Sequence, residues 1–190
     1  MTPTPPPPFP TLSTARLRLR EITEADAPAL LALHGDADLM RWFGVDPLPD
    51  LAAAQALVRT FAGWRAAANP GVRWGLERHD QPGLIGSLGL FAWNRNWRKC
   101  TLGYELARAA QGQGLMHEAL RTAVAWGFAQ MALNRIEAQV HPDNAASIRS
   151  VQRLGFVPEG RLRQLGFWGG QYHDMLQFGL LRSDWDASLH

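Results

Sequence analysis

Between Val72 and Leu106 the chain keeps a two-residue rhythm, in three runs reading VRWGLERH, LIGSLGLFAW and KCTLGYEL. Asp80-Gln81-Pro82-Gly83 and Asn94-Arg95-Asn96 separate them. Period-two runs divided by such breakers predict antiparallel strands joined by tight turns. A three-strand meander is an unfinished sheet, and its buried face needs cover from the rest of the chain.

Helical patterns on either side supply that cover. Thr23 can cap a helix carrying Asp26 in its first turn and Leu30, Leu31 and Leu33 on its apolar side. An alanine-rich helix is predicted from Leu51 to Ala67, ending before Asn69-Pro70-Gly71. Another spans Gly114 to Ala129, with Ala119, Leu120, Ala123 and Val124 at core-facing spacing, and a last one spans Asn144 to Leu154. RLRLREI, Arg16 to Ile22, reads as a first strand. RIEAQVH follows the Gly114–Ala129 helix, and two terminal strands lie around Phe156-Val157 and Met175 to Leu181. The order predicts an α+β (mixed α/β) domain: a central mixed, mostly antiparallel sheet of about seven strands with helices on both faces.

A chain of 190 residues fits one domain with one core. Residues 1–10, MTPTPPPPFP, read as a proline-rich N-terminal arm, and residues 11–190 as the domain. No apolar run approaches the roughly 18 residues of a membrane span, so no membrane partner is expected. The start lacks the features of a secretory signal, and Cys100, the sole cysteine, permits neither an intrachain disulfide nor a tetrathiolate site. A cytoplasmic protein fits these features. His141, Asp143, His173 and Asp174 lack the spacing of a helical metal pair, and MHEAL lacks the second histidine of HExxH, so no metal is expected.

Directly after the meander stands AAQGQGLMHEAL, Ala109 to Leu120. A strand, a glycine pair and a helix start together leave unbonded amides at the positive end of a helix dipole, where an anion can settle on Gln111 to Met116. The glycines could equally serve only to close a sharp strand-to-helix turn. Neither common nucleotide motif fits: no lysine follows as a Walker loop requires, and His117 stands where the dinucleotide fingerprint needs its third glycine.

The stretch LGYELARAAQGQGLMHEAL, with HPDNAASIRSVQRLGFVPEGRLR and DMLQFGLLRSDW after it, resembles the GNAT superfamily of acetyl-CoA-dependent N-acetyltransferases, in its RimJ/RimL-like branch. The likeness begins at LSTARLRLREITEADA and covers nearly the whole chain beyond the proline arm. It implies a GNAT-like sheet splayed between its fourth and fifth strands, and acetyl-CoA as cosubstrate. It implies pyrophosphate contacts from Gln111, Gly112, Gln113, Gly114, Leu115 and Met116, and a bulge near Leu106 and Ala107 that opens a gap for pantetheine. Asn144 would contact pantetheine.

The implied reaction is direct attack of an amine on the thioester, with no metal and no covalent enzyme intermediate. With a reference pKa near 8, about one α-amine in ten is neutral at pH 7, against roughly one in 2,500 for a lysine side chain. An N-terminal acceptor therefore demands less of a base. Many members carry a tyrosine acid seven residues after the motif asparagine, but that position here is Val151, and the resemblance points to Ser147 as the donor to sulfur. A plain helix-start role for Ser147 stays open. Glu105 is the nearest acidic candidate for the base, with Glu137 and His141 as alternatives. Trp93 and Trp97, interleaved with Arg95, Arg98 and Lys99, could bind the acceptor or stack single-stranded RNA. With a net charge of only +2, nucleic acid is not the expected partner. The resemblance favours the α-amine of a ribosomal-type protein N-terminus, in a monomer or homodimer. A small amine such as an aminoglycoside or polyamine, a non-catalytic coenzyme-binding role and an RNA-binding module remain other readings.

Overall fold

The computed structural model describes residues 8–188. Its strands are β1 (Leu12–Ser13), β2 (Leu17–Glu21), β3 (Val72–Arg78), β4 (Leu84–Asn94), β5 (Lys99–Leu106), β6 (Arg135–Val140), β7 (Val157–Trp168) and β8 (Gln171–Leu181). The helices are α1 (Ala27–His34), α2 (Ala37–Met40), α3 (Leu51–Gly63), α4 (Leu115–Gln130), α5 (Ala145–Arg153) and α6 (Arg182–Ala187). The strands form one sheet in the order β1-β2-β3-β4-β5-β6-β8-β7. Only β5 and β6 run parallel.

The meander appears where the alternation placed it, because Leu17, Leu19, Trp74, Leu76, Leu88 and Leu90 point from β2, β3 and β4 into a core closed by α4. From α4, Ala119, Leu120, Ala123 and Val124 are fully buried. The opposite face of the sheet is covered by α1 and α3, whose Leu30, Leu33, Ala54, Val58 and Phe61 pack with Ile22 and Leu84 in a second cluster. Thr23 does cap, through a box shared with Asp26, but it opens a 3-10 turn, and α1 starts only at Ala27.

One expectation needs correction, and two further details emerge. The terminal strands are far longer than Phe156-Val157 and Met175 to Leu181: β7 and β8 form a hairpin turning at Gly169 and Gly170, both in the left-handed region (φ 59° and 73°). Gly160 and Gly166 interrupt the alternation of β7, and register shifts at both glycines let pairing continue past them. The short β1 makes eight strands in all. The proline arm is not separate at its end: Phe9 meets Trp74 edge-on at 6.5 Å, and Trp74 Nε1 donates to the Pro10 carbonyl at 2.6 Å. The arm's residues 1–7 lie outside the described residues.

Candidate active site

The parallel pair is short. β5 and β6 are in register only from Lys99 opposite Arg135 to Leu102 opposite Ala138. Beyond that, β5 stays with β4 until Leu106 opposite Gly86, while β6 stays with β8 until Val140 opposite Leu176. Gly103–Leu106 and Gln139–Val140 therefore do not pair with each other and flank a gap, as the edges of a split sheet, with the Leu106 carbonyl accepting from Gln111 Nε2 at 2.9 Å. No bulge opens it. The β4–β5 register is unbroken through Leu106, and its one irregularity lies at the far end, between Phe91 and Asn94. β5 packs closely on β4 here: a Cβ on Gly86 would strike the Glu105 carbonyl.

The gap opens into a cleft of about 1480 Å³. At one end stands the glycine turn. Gly112 and Gly114 both have φ 75°, conformations that suit glycine, and nothing lies within 4 Å of where a Gly112 Cβ would stand. The first backbone bond of α4 runs from Glu118 to the Gly114 carbonyl at 3.2 Å, so the amides before it lack helix partners. Arg16 braces the turn from β2's approach, donating through Nη1 to the Gln113 carbonyl (2.9 Å) and through Nε to Glu118 (2.7 Å). Burial, and after it the charges of Arg121 and Arg153, hold the His117 imidazole below its ordinary value.

Gln111, Gly112, Gly114, Leu115, Met116 and Leu106 all line the cleft, as do Asn144 and Ser147. Ala107 and Gln113 do not. Ala107 packs toward the α1/α3 cluster, and the Gln113 side chain donates to the Ala109 carbonyl and accepts from Arg78. Asn144 caps α5, its Oδ1 accepting from the Ser147 amide at 3.0 Å. Trp93 and Trp97 are not in the cleft. They sit beyond the closed, Lys99–Arg135 end of the strand pair, Trp93 stacked under Arg95 and Trp97 72% exposed beside Lys99.

Two sets of groups meet where the strands part. On the α4/α5 side, Tyr104 Oη lies 2.7 Å from Ser147 Oγ. Burial raises the Tyr104 hydroxyl, against weaker opposition from bonds to Ser147 and Ser150, so it stays protonated at neutral pH. On the α1 side, Glu105 is buried, not on the surface. Arg73, His34 and Ser87 all engage its carboxylate. Burial pushes this carboxyl up, but the Arg73 charge and the bonds from His34 and Ser87 outweigh it and hold the group below the ordinary carboxylate range. The alternation along β5 explains the division, since Tyr104 and Glu105 are neighbours on opposite faces. Tyr104, His34 and Arg73 escaped the sequence reading; their only trace was an even-numbered tyrosine on the strand and isolated polar residues within apolar patterns.

Glu137, the alternative base, pairs with Lys99 and Arg135 at the closed end. His141 is buried in an aromatic stack, 4.0 Å from Trp42, with His173 lying 3.7 Å from Trp168 beside it. Asp174 is taken by Arg161. Trp42, Phe43 and Trp168 form the cleft's outer wall with Asp38 and Asp46.

This split sheet, closed by a glycine turn at a helix start, coincides with a family assignment made from sequence: residues 16–157 match the model of the acetyltransferase (GNAT) domain. The chain belongs to the GNAT acetyltransferase family. This GNAT N-acetyltransferase is 34% identical over 174 residues to the uncharacterized N-acetyltransferase YoaA of Bacillus subtilis, covering 92% of this chain and 98% of the relative. It is 33% identical over 113 residues to the [ribosomal protein uS5]-alanine N-acetyltransferase of Escherichia coli, covering 59% and 58%. Its fold is that of Mycobacterium smegmatis RimJ, solved with CoA-disulfide (TM-score 0.82, 19% identity, 91% and 87% covered). The Vibrio cholerae spermidine N-acetyltransferase, solved with CoA and spermine, shares it too (TM-score 0.77, 23% identity, 89% and 97% covered). No helix of the described residues is long and apolar enough to cross a membrane.

Proposed function

We propose that this acetyltransferase carries acetyl from acetyl-CoA to the α-amine of a protein N-terminus of ribosomal type, in the cytoplasm. The observation that carries the reading is the gap itself: two strand edges that do not pair with each other lead from a turn of bare amides to the Tyr104–Ser147 pair. Residues present fit the coenzyme. The glycine turn offers donors and open space to a pyrophosphate, Arg149 and Arg153 line the same cleft, and pantetheine could add to these edges as a strand does. Ser147, backed by Tyr104, would protonate the departing sulfur, and the Glu105 network would draw the proton from the amine.

The α-amine reading is supported by the relative that acts on ribosomal protein uS5 and by the smaller demand that an α-amine places on a base. A small polycationic amine is the second reading. It is favoured by the fold of the spermidine acetyltransferase and by a cleft lining that includes Trp42, Phe43, Trp168 and the carboxylate of Asp46, a combination that attracts cations. Thiol release from acetyl-CoA, measured across N-terminal peptides, polyamines and aminoglycosides, separates the two. Turnover confined to polyamines would reject the first reading.

A further inference from the structure

The proton acceptor within the Glu105 network can be assigned to one atom. His34, the last residue of α1, is 3% exposed and lines the cleft. Its Nε2 lies 3.1 Å from Glu105 Oε1. That oxygen also accepts from Ser87, and Oε2 accepts from Arg73, so both carboxylate oxygens are already served by donors. A carboxylate in this state is a poor base. An imidazole that donates from Nε2 to an ionised carboxylate must, when neutral, keep its lone pair on Nδ1. Among the described residues His34 Nδ1 has no hydrogen-bond partner, and the ring it belongs to lines the cleft. Phe43 meets the ring edge-on at 5.2 Å and fixes its plane.

We propose that His34 Nδ1 receives the proton of the acceptor amine, and that Glu105 is the positioning residue behind it. The inference rests on the acetyltransferase reading above and deepens it. Glu105 on β5 and Arg73 on β3 are the charged groups nearest the ring, and β4 contributes only the neutral Ser87. From α2, Asp38 faces the same cleft but is paired with Arg41 and Arg108. α3 presents Leu57 and Phe61 to the cleft and keeps Arg59 outside with Glu24, while Asp26 before α1 is paired with Arg20.

In the reaction, an ammonium N–H bond breaks and its proton passes to His34 Nδ1. The freed lone pair forms the C–N bond to the thioester carbonyl carbon, and the C–S bond breaks with its electron pair on sulfur. Ser147 Oγ–H, relayed by Tyr104, protonates that sulfur. The second nitrogen proton restores the relay as the amide forms, and His34 releases the first to water. Acceptor and donor stand on opposite sides of β5, so neither has to move.

The test uses the full chain and the amine that it acetylates fastest. His34→Gln keeps a donor toward Glu105 and is expected to lower kcat by about 100-fold. It should abolish the acid limb of kcat/KM while leaving coenzyme affinity within about twofold, since the glycine turn is untouched. His34→Ala should regain rate with added imidazole, which a structural role would not allow. Glu105→Gln, which keeps the size of the side chain, should lower kcat by about 10-fold while leaving acceptor KM and coenzyme affinity within about twofold. In the wild-type enzyme, independently of any variant's folding, the acid limb should coincide with the His34 titration followed by NMR. A competent wild type whose limb does not follow His34, or a folded His34→Gln that keeps its rate and limb, overturns the assignment alone. A wild type that acetylates no amine in the panel overturns the reading beneath it as well.

Discussion

Tyr104 and Ser147 stand 43 positions apart, on a strand and on a helix, yet their hydroxyls lie 2.7 Å from each other at the mouth of the β5–β6 gap. Val151, where the resemblance would place a tyrosine acid, is fully buried in the core, and the phenol beside Ser147 comes from β5. Ser147→Ala is expected to lower kcat roughly 10- to 100-fold with little change in coenzyme affinity, and Tyr104→Phe to lower it by about 10-fold. Two groups acting as one relay are not additive. Steady-state kinetics should therefore find the double variant no slower than about twice the worse single one, and a full product of the two effects would separate the roles.

The glycine turn should be sensitive to charge more than to bulk. A side chain at Gly112 meets no neighbour within 4 Å, so Gly112→Asp costs only the left-handed backbone, about 1 kcal/mol of stability. Its carboxylate would stand among the bare amides, and coenzyme affinity measured by calorimetry should fall at least about 10-fold. Gly112→Ala, carrying the same backbone penalty without the charge, should bind within a few-fold of wild type. Equal binding by Asp and Ala variants would remove the phosphate from this turn.

Arg73 and Glu105 are a buried pair, 3% and 8% exposed at their side chains. Replacing Arg73 with Met leaves a buried carboxylate without its cation, and urea unfolding at pH 7 should show a loss of about 3 kcal/mol. The Glu105 carboxyl is held below its unfolded value, so its stabilisation is complete above about pH 5 and is lost as pH falls through the folded value. The gap between wild type and Arg73→Met should accordingly narrow as the pH is lowered toward 3. A gap independent of pH would mean that the pair contributes by packing alone.

Trp97 is exposed at the closed end of the strand pair, on the far side from the gap. Trp97→Ala is expected to leave Tm within about 1 °C and kcat/KM for the acceptor within about twofold. A tenfold rise in acceptor KM would restore this residue to the acceptor site, and a steeply salt-dependent RNA affinity lost in the variant would revive the nucleic-acid reading.

Much of this was legible from residue order. The period-two runs placed β3, β4 and β5 within a residue or so, because alternation follows directly from one face being buried and the other not. The glycine pair marked the turn before α4 for the same local reason: a left-handed backbone is a property of the residue that occupies it. Most of β7 beyond Val157 was not read because the strand is exposed along nearly its whole length and carries no burial rhythm, and its pairing comes from β8 alone.

The place of Trp93 and Trp97 away from the cleft was not legible for a related reason: an aromatic, cationic stretch looks the same at either end of a sheet. Its distance from the cleft depends on which end of β5 stays paired with β6. That choice lies in the pairing of the two strands with β4 and β8, among residues far separated along the chain.

The order of residues alone determined most of the elements and the glycine turn, since each depends on neighbours a few positions away, and it determined the family through motifs spread along the chain. Only the folded chain decided that Glu105 would be buried and saturated with donors, that His34 would stand against it and that Tyr104 would complete Ser147. Those pairings depend on the faces that meet when α1, β5 and α5 close on one sheet, and the interaction of two side chains through space leaves no periodic mark in either segment.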